Sequence, residues 1–222
     1  MPDRDLFFCQ TLSVIRGRSC FQVDFADPYI GGEFLRFGNV QEELMCCMQP
    51  EILAGRLFME RLLPQEAALV IGAERFCSCT GYARNLAWSE DFREADQGSV
   101  RDVRSRWKKC IVAIDATHFK NASAQFQDTY LYRELNKAFI GFTDMAAPYE
   151  SLPCTVVSGN WGCGIFKGNK ALKALIQLMA CAQAGKALAY STFQDESLEK
   201  ELKRTYDNLV ASECTVGKCF IY

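Results

Sequence analysis

Gln41-Glu42-Glu43 closes a glycine-containing loop that begins at Gly31-Gly32, and it places two carboxylates side by side at what reads as the start of a helix. Two uses suit that pattern. On a solvated helix start, both acids complement the positive end of the macrodipole. In a ligand pocket, neighbouring acids on a helix point roughly 100° apart, so one can face a ligand while the other takes a different role. A carboxyl kept protonated by partial burial and a like-charged neighbour can then serve as a general acid. A second segment, Ser158-Gly159-Asn160-Trp161-Gly162-Cys163-Gly164, has the composition of a backbone cradle for an anion. A plain turn has no need of so many glycines beside a tryptophan.

Other combinations carry less. Cys77-Ser78-Cys79 has one residue between its thiols and no partner pair, and His118 is the only histidine, so neither a zinc site nor a two-histidine metal site is expected. The twelve cysteines are expected to be reduced, because the N-terminus lacks the pattern of a signal peptide and Cys46-Cys47, Cys154 and Cys181 lie in apolar runs. A formal charge of −2 over 222 residues argues against broad nucleic-acid binding. The basic stretch Arg101, Arg104, Arg106, Lys108 and Lys109 is interleaved with acids and reads as a solvated helix face. No apolar run approaches the roughly 20 residues that a membrane-crossing helix needs.

The elements that must position these residues alternate in type. Buried strands are expected at 21–25, 67–71, 110–114, 155–157 and 188–193, and helices at 52–63, 131–142, 171–182 and 198–209. Such alternation predicts a mixed sheet covered by helices, in one domain spanning 1–222. In layered α/β folds, ligands bind beyond the carboxyl ends of the strands, and both glycine segments follow strands.

Several motifs in order resemble the poly(ADP-ribose) glycohydrolase family. They are Val23-Asp24-Phe25-Ala26-Asp27, Gly31-Gly32-Glu33 followed by Gln41-Glu42-Glu43, Thr80-Gly81-Tyr82-Ala83, Ile114-Asp115-Ala116, Arg133 to Ala138, Gly159 to Gly164 and Leu172 to Gln177. The resemblance runs from about Cys20 to Asp195 and implies a macrodomain-like fold, a mixed β-sheet sandwiched between helices, without the helical accessory region of larger relatives. It implies hydrolysis of ribose-ribose bonds in poly(ADP-ribose), with no cofactor and no metal. Glu43 matches the family's acid/base glutamate and Glu42 the one that hydrogen-bonds a ribose hydroxyl. Substrate-binding positions match at Phe25, Asp27, Gly31, Gly32, Gln41, Tyr82, Asn160, Gly162, Cys163, Gly164, Ile165, Phe166 and Phe193. Tyr82 matches a tyrosine closing over the nucleotide and Phe193 an adenine stacker. The implied partners are poly(ADP-ribose), ADP-ribose and poly(ADP-ribosyl)ated proteins, with neither direct nucleic-acid binding nor a membrane, in a nuclear or cytoplasmic setting.

Three positions depart from the family pattern. Glu33 replaces a third glycine where a diphosphate would approach, Asp27 replaces an asparagine, and Cys79 stands where relatives often carry a second tyrosine. The first two support an alternative expectation: a weakened or inactive macrodomain that binds ADP-ribose or its polymer.

Overall fold

The computed structural model describes residues 6–9, 20–92, 101–102, 104–143 and 155–219. In chain order the first elements are β1 (Leu6–Cys9), β2 (Phe21–Ala26), α1 (Gln41–Met48), a 3-10 helix at Pro50–Leu57, β3 (Ala68–Ile71), and the hairpin strands β4 (Cys77–Thr80) and β5 (Ala87–Asp91). Then come β6 (Cys110–Asp115), α2 (Asp128–Phe142), β7 (Thr155–Ser158), α3 (Lys170–Ala184), β8 (Ala187–Ser191), α4 (Glu196–Ala211) and α5 (Val216–Cys219).

Among the described residues the main sheet has the order β1-β8-β7-β2-β6-β3. All neighbouring pairs are parallel except β3 with β6. The expected mixed sheet is therefore present, with its antiparallel member at one edge. Strand β6 shows how it is sandwiched. All six of its residues are buried, and the period of two sends them to different layers. Cys110, Val112 and Ile114 join Phe21, Val23, Ala138, Phe142 and Trp161 in one cluster; Ile111 and Ala113 join Ala26, Met45, Cys46 and Ile52 in another. Helices α2 and α3 cover the first face and α1 the second.

Helix α2 buries Glu134, Lys137, Ala138, Gly141 and Phe142, the three-and-four spacing of one helix face. Helix α3 starts on the Asn169 side chain, which accepts the Leu172 N–H at 2.9 Å, and stops at Gly185 with φ +73°.

Three expectations need correction. The helix placed at 52–63 is a 3-10 helix ending at Leu57; beyond it the chain is drawn to β2's loop, where Leu62 N–H donates to Pro28 C=O at 2.8 Å. The basic stretch is not a helix. Arg101 bridges to Trp107, and the Asp102 carboxylate accepts the Arg104 and Arg106 amides and pairs with the Arg106 guanidinium. Cys47 is exposed, although Cys46 and Cys181 are buried as expected; Cys154 lies outside the described residues.

Gly141 allows α2 to lie against the sheet. A Cβ there would stand 2.7 Å from Ile114 and 3.1 Å from Val112, inside normal contact. Alanine ordinarily stabilises a helix interior by about 1 kcal/mol over glycine, but here the overlap dominates. Gly141→Ala is expected to lower stability by about 1–3 kcal/mol in urea denaturation; a gain would show that α2 can back away from β6 without cost.

Candidate active site

Strands β2, β6, β7 and β8 run parallel, so their carboxyl ends share one edge of the sheet, and the loops that follow them meet there. The β6–α2 connection supports the β7–α3 loop. Ala116 Cβ lies 2.6 Å from where a Cβ on Gly162 would stand, Phe119 N–H donates to Phe166 C=O at 3.1 Å, and His118 stacks on Phe166 at 5.1 Å between centroids. From the β8 side, the Phe193 ring rests on Gly159, where an added Cβ would meet it at 2.9 Å. Strand β8 ends at Ser191 rather than Phe193 because Phe193 and Gln194 take φ +55° and +65°. Non-glycine residues hold such angles only where surrounding structure imposes them. Ala83 beside Tyr82 and Lys167 in the β7–α3 loop are two further cases.

The Gly162 loop closes on itself through Gly168 N–H to Gly162 C=O at 2.9 Å. Buried side chains fix it from behind. Trp161 Nε1–H donates to Ile114 C=O at 2.9 Å, Gln177 Nε2–H to Gly159 C=O at 3.0 Å, and the Tyr190 hydroxyl to Asn160 Oδ1 at 3.0 Å. Gly164 and Ile165 stay exposed and Cys163 is half-buried, its thiol pushed up to about 12 by burial.

The carboxylates gather at the end of β2. This strand pairs with β7 only through Phe21 and Gln22; beyond that point Gln41 supplies the missing partner. Its Oε1 accepts the Phe25 N–H at 2.8 Å and its Nε2–H donates to Val23 C=O at 3.0 Å. That pair fixes α1 against β2 and buries the next two side chains. Glu42 accepts Asp27 N–H at 2.8 Å and Gly31 N–H at 2.6 Å. Glu43 accepts Val40 N–H at 3.0 Å, capping its own helix, and Glu33 N–H at 3.1 Å. The two acids thus face different amides, as their angular separation on a helix predicts. Cβ atoms at Gly32 would overlap both carboxylates, at 2.6 and 2.7 Å, and at Gly38 would overlap Glu43. Tyr82, about half exposed on the β4–β5 turn, has its phenol beside the Gln41 backbone N–H and close enough to Glu43 for that charge to raise its pKa after burial.

Asp24 is the residue to which sequence reasoning gave no role. It points to the α1 side of the sheet, fully buried, with neither carboxylate oxygen hydrogen-bonded. Burial pushes its carboxyl up to about 7, and the Glu43 charge adds to this. Burial pushes Glu42 up to about 9 with help from Asp24 and Glu43, against the two amide bonds that favour its charged form. The visible signal was an acid in an otherwise apolar strand, where an unpaired charge is costly.

The departures from the family pattern are absorbed locally. Asp27 Oδ1 accepts Tyr29 N–H at 2.8 Å, and Glu33 pairs with Arg36 at 3.4 Å in the open, with side-chain exposures of 58% and 75%. Cys79 faces Cys77 with sulfurs 4.0 Å apart, and no disulfide joins the cysteines described. No cluster of metal-ligating side chains occurs among the described residues.

A sheet of this order with its loops gathered over the strand ends is a macrodomain fold. The solved structure of poly(ADP-ribose) glycohydrolase from Thermomonospora curvata shares it, with a TM-score of 0.54 and 14% identity over 90% of this chain and 75% of that one. The family model described as poly(ADP-ribose) glycohydrolase, macro domain fold, matches residues 6–200, and the chain belongs to that family. Poly(ADP-ribose) glycohydrolase 1 of Caenorhabditis elegans is 34% identical over 209 residues, and poly(ADP-ribose) glycohydrolase 2 of the same organism 35% over 231. These matches take in 90% and 100% of this chain but 26% and 46% of the relatives, so the chain spans at most about half their length.

The acid cluster makes stability depend on pH in a defined sense. Between Asp24's ordinary value of 3.8 and about 7, the folded protein holds a proton that the unfolded chain releases, so the wild type loses stability as pH rises through that window. Asp24→Asn removes this loss. The melting temperature of the variant relative to wild type should therefore be higher at pH 8 than at pH 4; an equal difference at both would mean that Asp24 is already charged at acid pH.

Proposed function

We propose that this chain hydrolyses ribose-ribose O-glycosidic bonds of poly(ADP-ribose) and releases ADP-ribose, with Glu43 as general acid and base. The observation that carries this reading is the cluster of Asp24, Glu42 and Glu43 at the end of β2, beside the Gly31-Gly32 turn. Burial pushes the Asp24 and Glu42 carboxyls up to about 7 and about 9, and no cation faces them among the described residues. Asp24 and Glu42 thus hold protons near neutrality beside Glu43, from which an acid acting on a leaving ribose oxygen can be supplied. Glu43 passes a proton to that oxygen as the bond to the anomeric carbon breaks, then takes one from the water that attacks the oxocarbenium-like sugar. The same residue serves in both steps, unlike the usual pair of flanking carboxyls.

Glu42, protonated up to about 9, carries an O–H donor together with acceptor lone pairs, which suits it to hydrogen-bond a ribose hydroxyl. The Gly31 and Gly32 amides are already bonded to Glu42 and the Tyr29 carbonyl, so the diphosphate falls to the amides of the Gly162 loop, with Tyr82 over the nucleotide and Phe193 against adenine. The family match over most of the chain supports this assignment. The proposed partners are poly(ADP-ribosyl)ated proteins, in the nucleus or cytoplasm.

The decisive measurement is ADP-ribose release from purified poly(ADP-ribose). Glu43→Gln is expected to lower kcat by about a hundredfold or more, the scale of general acid-base catalysis, while ADP-ribose binding measured by calorimetry persists. Tight binding with no release from the wild type would instead establish a binding module.

The departures at 27 and 33 bear on that alternative. Since Asp27 is turned into its own backbone turn and Glu33 is an exposed, ion-paired residue, Asp27→Asn and Glu33→Gly are each expected to change ADP-ribose affinity by less than about tenfold. A larger gain from either would mark it as an obstruction at the site.

A further inference from the structure

The loop from Gly162 to Gly168 has little side chain of its own to define its shape, so its shape is imposed from behind. Trp161, Gln177 and Tyr190 do this with neutral hydrogen bonds. Lys173 does it with charge. Fully buried on the first turn of α3, its ammonium contacts the Glu134 carboxylate and sits 3.8 Å from the Trp161 ring centroid. Its Nζ is 3.2 Å from where a Cβ on Gly162 would stand, and its Cε is 3.3 Å from the equivalent point on Gly168. The ammonium thus lies directly behind the hydrogen bond that closes the loop.

Glu134 extends the contact to the neighbouring loop. Its other oxygen accepts the Thr117 N–H at 3.1 Å, the Thr117 hydroxyl at 2.8 Å and the Arg133 guanidinium at 2.7 Å. One buried carboxylate therefore joins α2, the end of β6 and, through Lys173, the glycine loop. Removing Glu134 leaves the Lys173 ammonium buried without its carboxylate, and removing Lys173 leaves Glu134 held from the Arg133 and Thr117 side alone, so that the segments meeting there must shift.

We propose that the Lys173–Glu134 ion pair is a positioning device that sets the shape of the Gly162–Gly168 loop, and through it the affinity for the phosphates of the ligand. This rests on the reading of that loop as a diphosphate cradle. Neither residue touches the reacting atoms; both act through backbone.

A second buried lysine separates this role from stability alone. Lys137 lies on the same helix as Glu134, donates to Leu63 and Glu66 carbonyls at 2.5 Å each, and is 2.7 Å from Asp115 Oδ1, without hydrogen-bond geometry. Leu63 and Glu66 precede β3, and Asp115 bears on the glycine loop only indirectly, through the neighbouring Ala116. Wild type, Lys173→Met and Lys137→Met are compared in melting temperature, ADP-ribose affinity and hydrogen exchange of individual backbone amides. Both variants are expected to melt lower. Only Lys173→Met is expected to weaken ADP-ribose by about tenfold or more, and only it should speed exchange at 162–168 while leaving the amides of 25–32 unchanged.

ADP-ribose affinity within about twofold of wild type in Lys173→Met, or an equal loss in Lys137→Met, would overturn the proposal. If the wild type does not bind ADP-ribose, the diphosphate reading fails by itself, and the exchange comparison alone decides whether the pair shapes the loop. Should Lys173→Met not fold, Glu134→Gln carries the same test in the same direction.

Discussion

Asp24, Glu42 and Glu43 are buried within one small volume with no cationic partner among the described residues, and much of the surrounding structure exists to hold them there. Two of the three are stabilised by main-chain amides, which supply partial positive charge without a titrating group. Four loop amides converge on Glu42 and Glu43, and the loop can deliver them only because Gly32 and Gly38 leave space that a side chain would fill. Asp24 receives no such bond, and it and Glu42 both meet the cost of burial by keeping a proton, up to about 7 and about 9. The glycine content of the β2–α1 loop is therefore a packing requirement of the acids.

The chemistry of the two sheet faces differs accordingly. On the α1 side, acids are held without cations among the described residues, and Asp24 and Glu42 retain protons. On the α2 and α3 side, Arg133, Lys137 and Lys173 interlock with Asp115 and Glu134, so that each buried charge has an opposite one. A buried pair of this kind contributes little net stability compared with apolar packing, but breaking one side is costly. It specifies where α2, α3 and the strand ends must sit. Precise placement matters most at the edge where the loops gather, and that is where the network lies.

Much of this was legible in the sequence for an identifiable reason. Strands such as Cys110–Asp115 are continuous apolar runs because both faces are covered, and α2 and α3 show helical spacing because each buries one face. The acid pair and the glycine segments could be located from composition and order. What was not legible depends on contacts between segments distant in the chain. The segment after Pro50 has helical spacing, yet Leu62 binds the backbone of Pro28 and the helix stops early. The basic stretch lacks a helix because Asp102 takes up its amides. The charges at 134, 137 and 173 look solvated in one dimension, and only the folded chain shows that they answer one another.

Asp24 and Gln41 show why a motif can be located before it is understood. The Gln41 amide spends both its donor and its acceptor on β2, at the point where that strand parts from β7. It thereby replaces a missing strand partner and fixes the first residue of α1, which in turn fixes the directions of Glu42 and Glu43. Such a substitution works only with a side chain that carries donor and acceptor together; glutamate in its place would set a second lone pair against the Val23 carbonyl and add a fourth acid to the cluster. The Gln-Glu-Glu order is thus a structural sentence as much as a chemical one. The amide anchors the helix to the strand, the first acid fastens the loop at Asp27 and Gly31, and the second caps the helix and holds the loop again at Glu33.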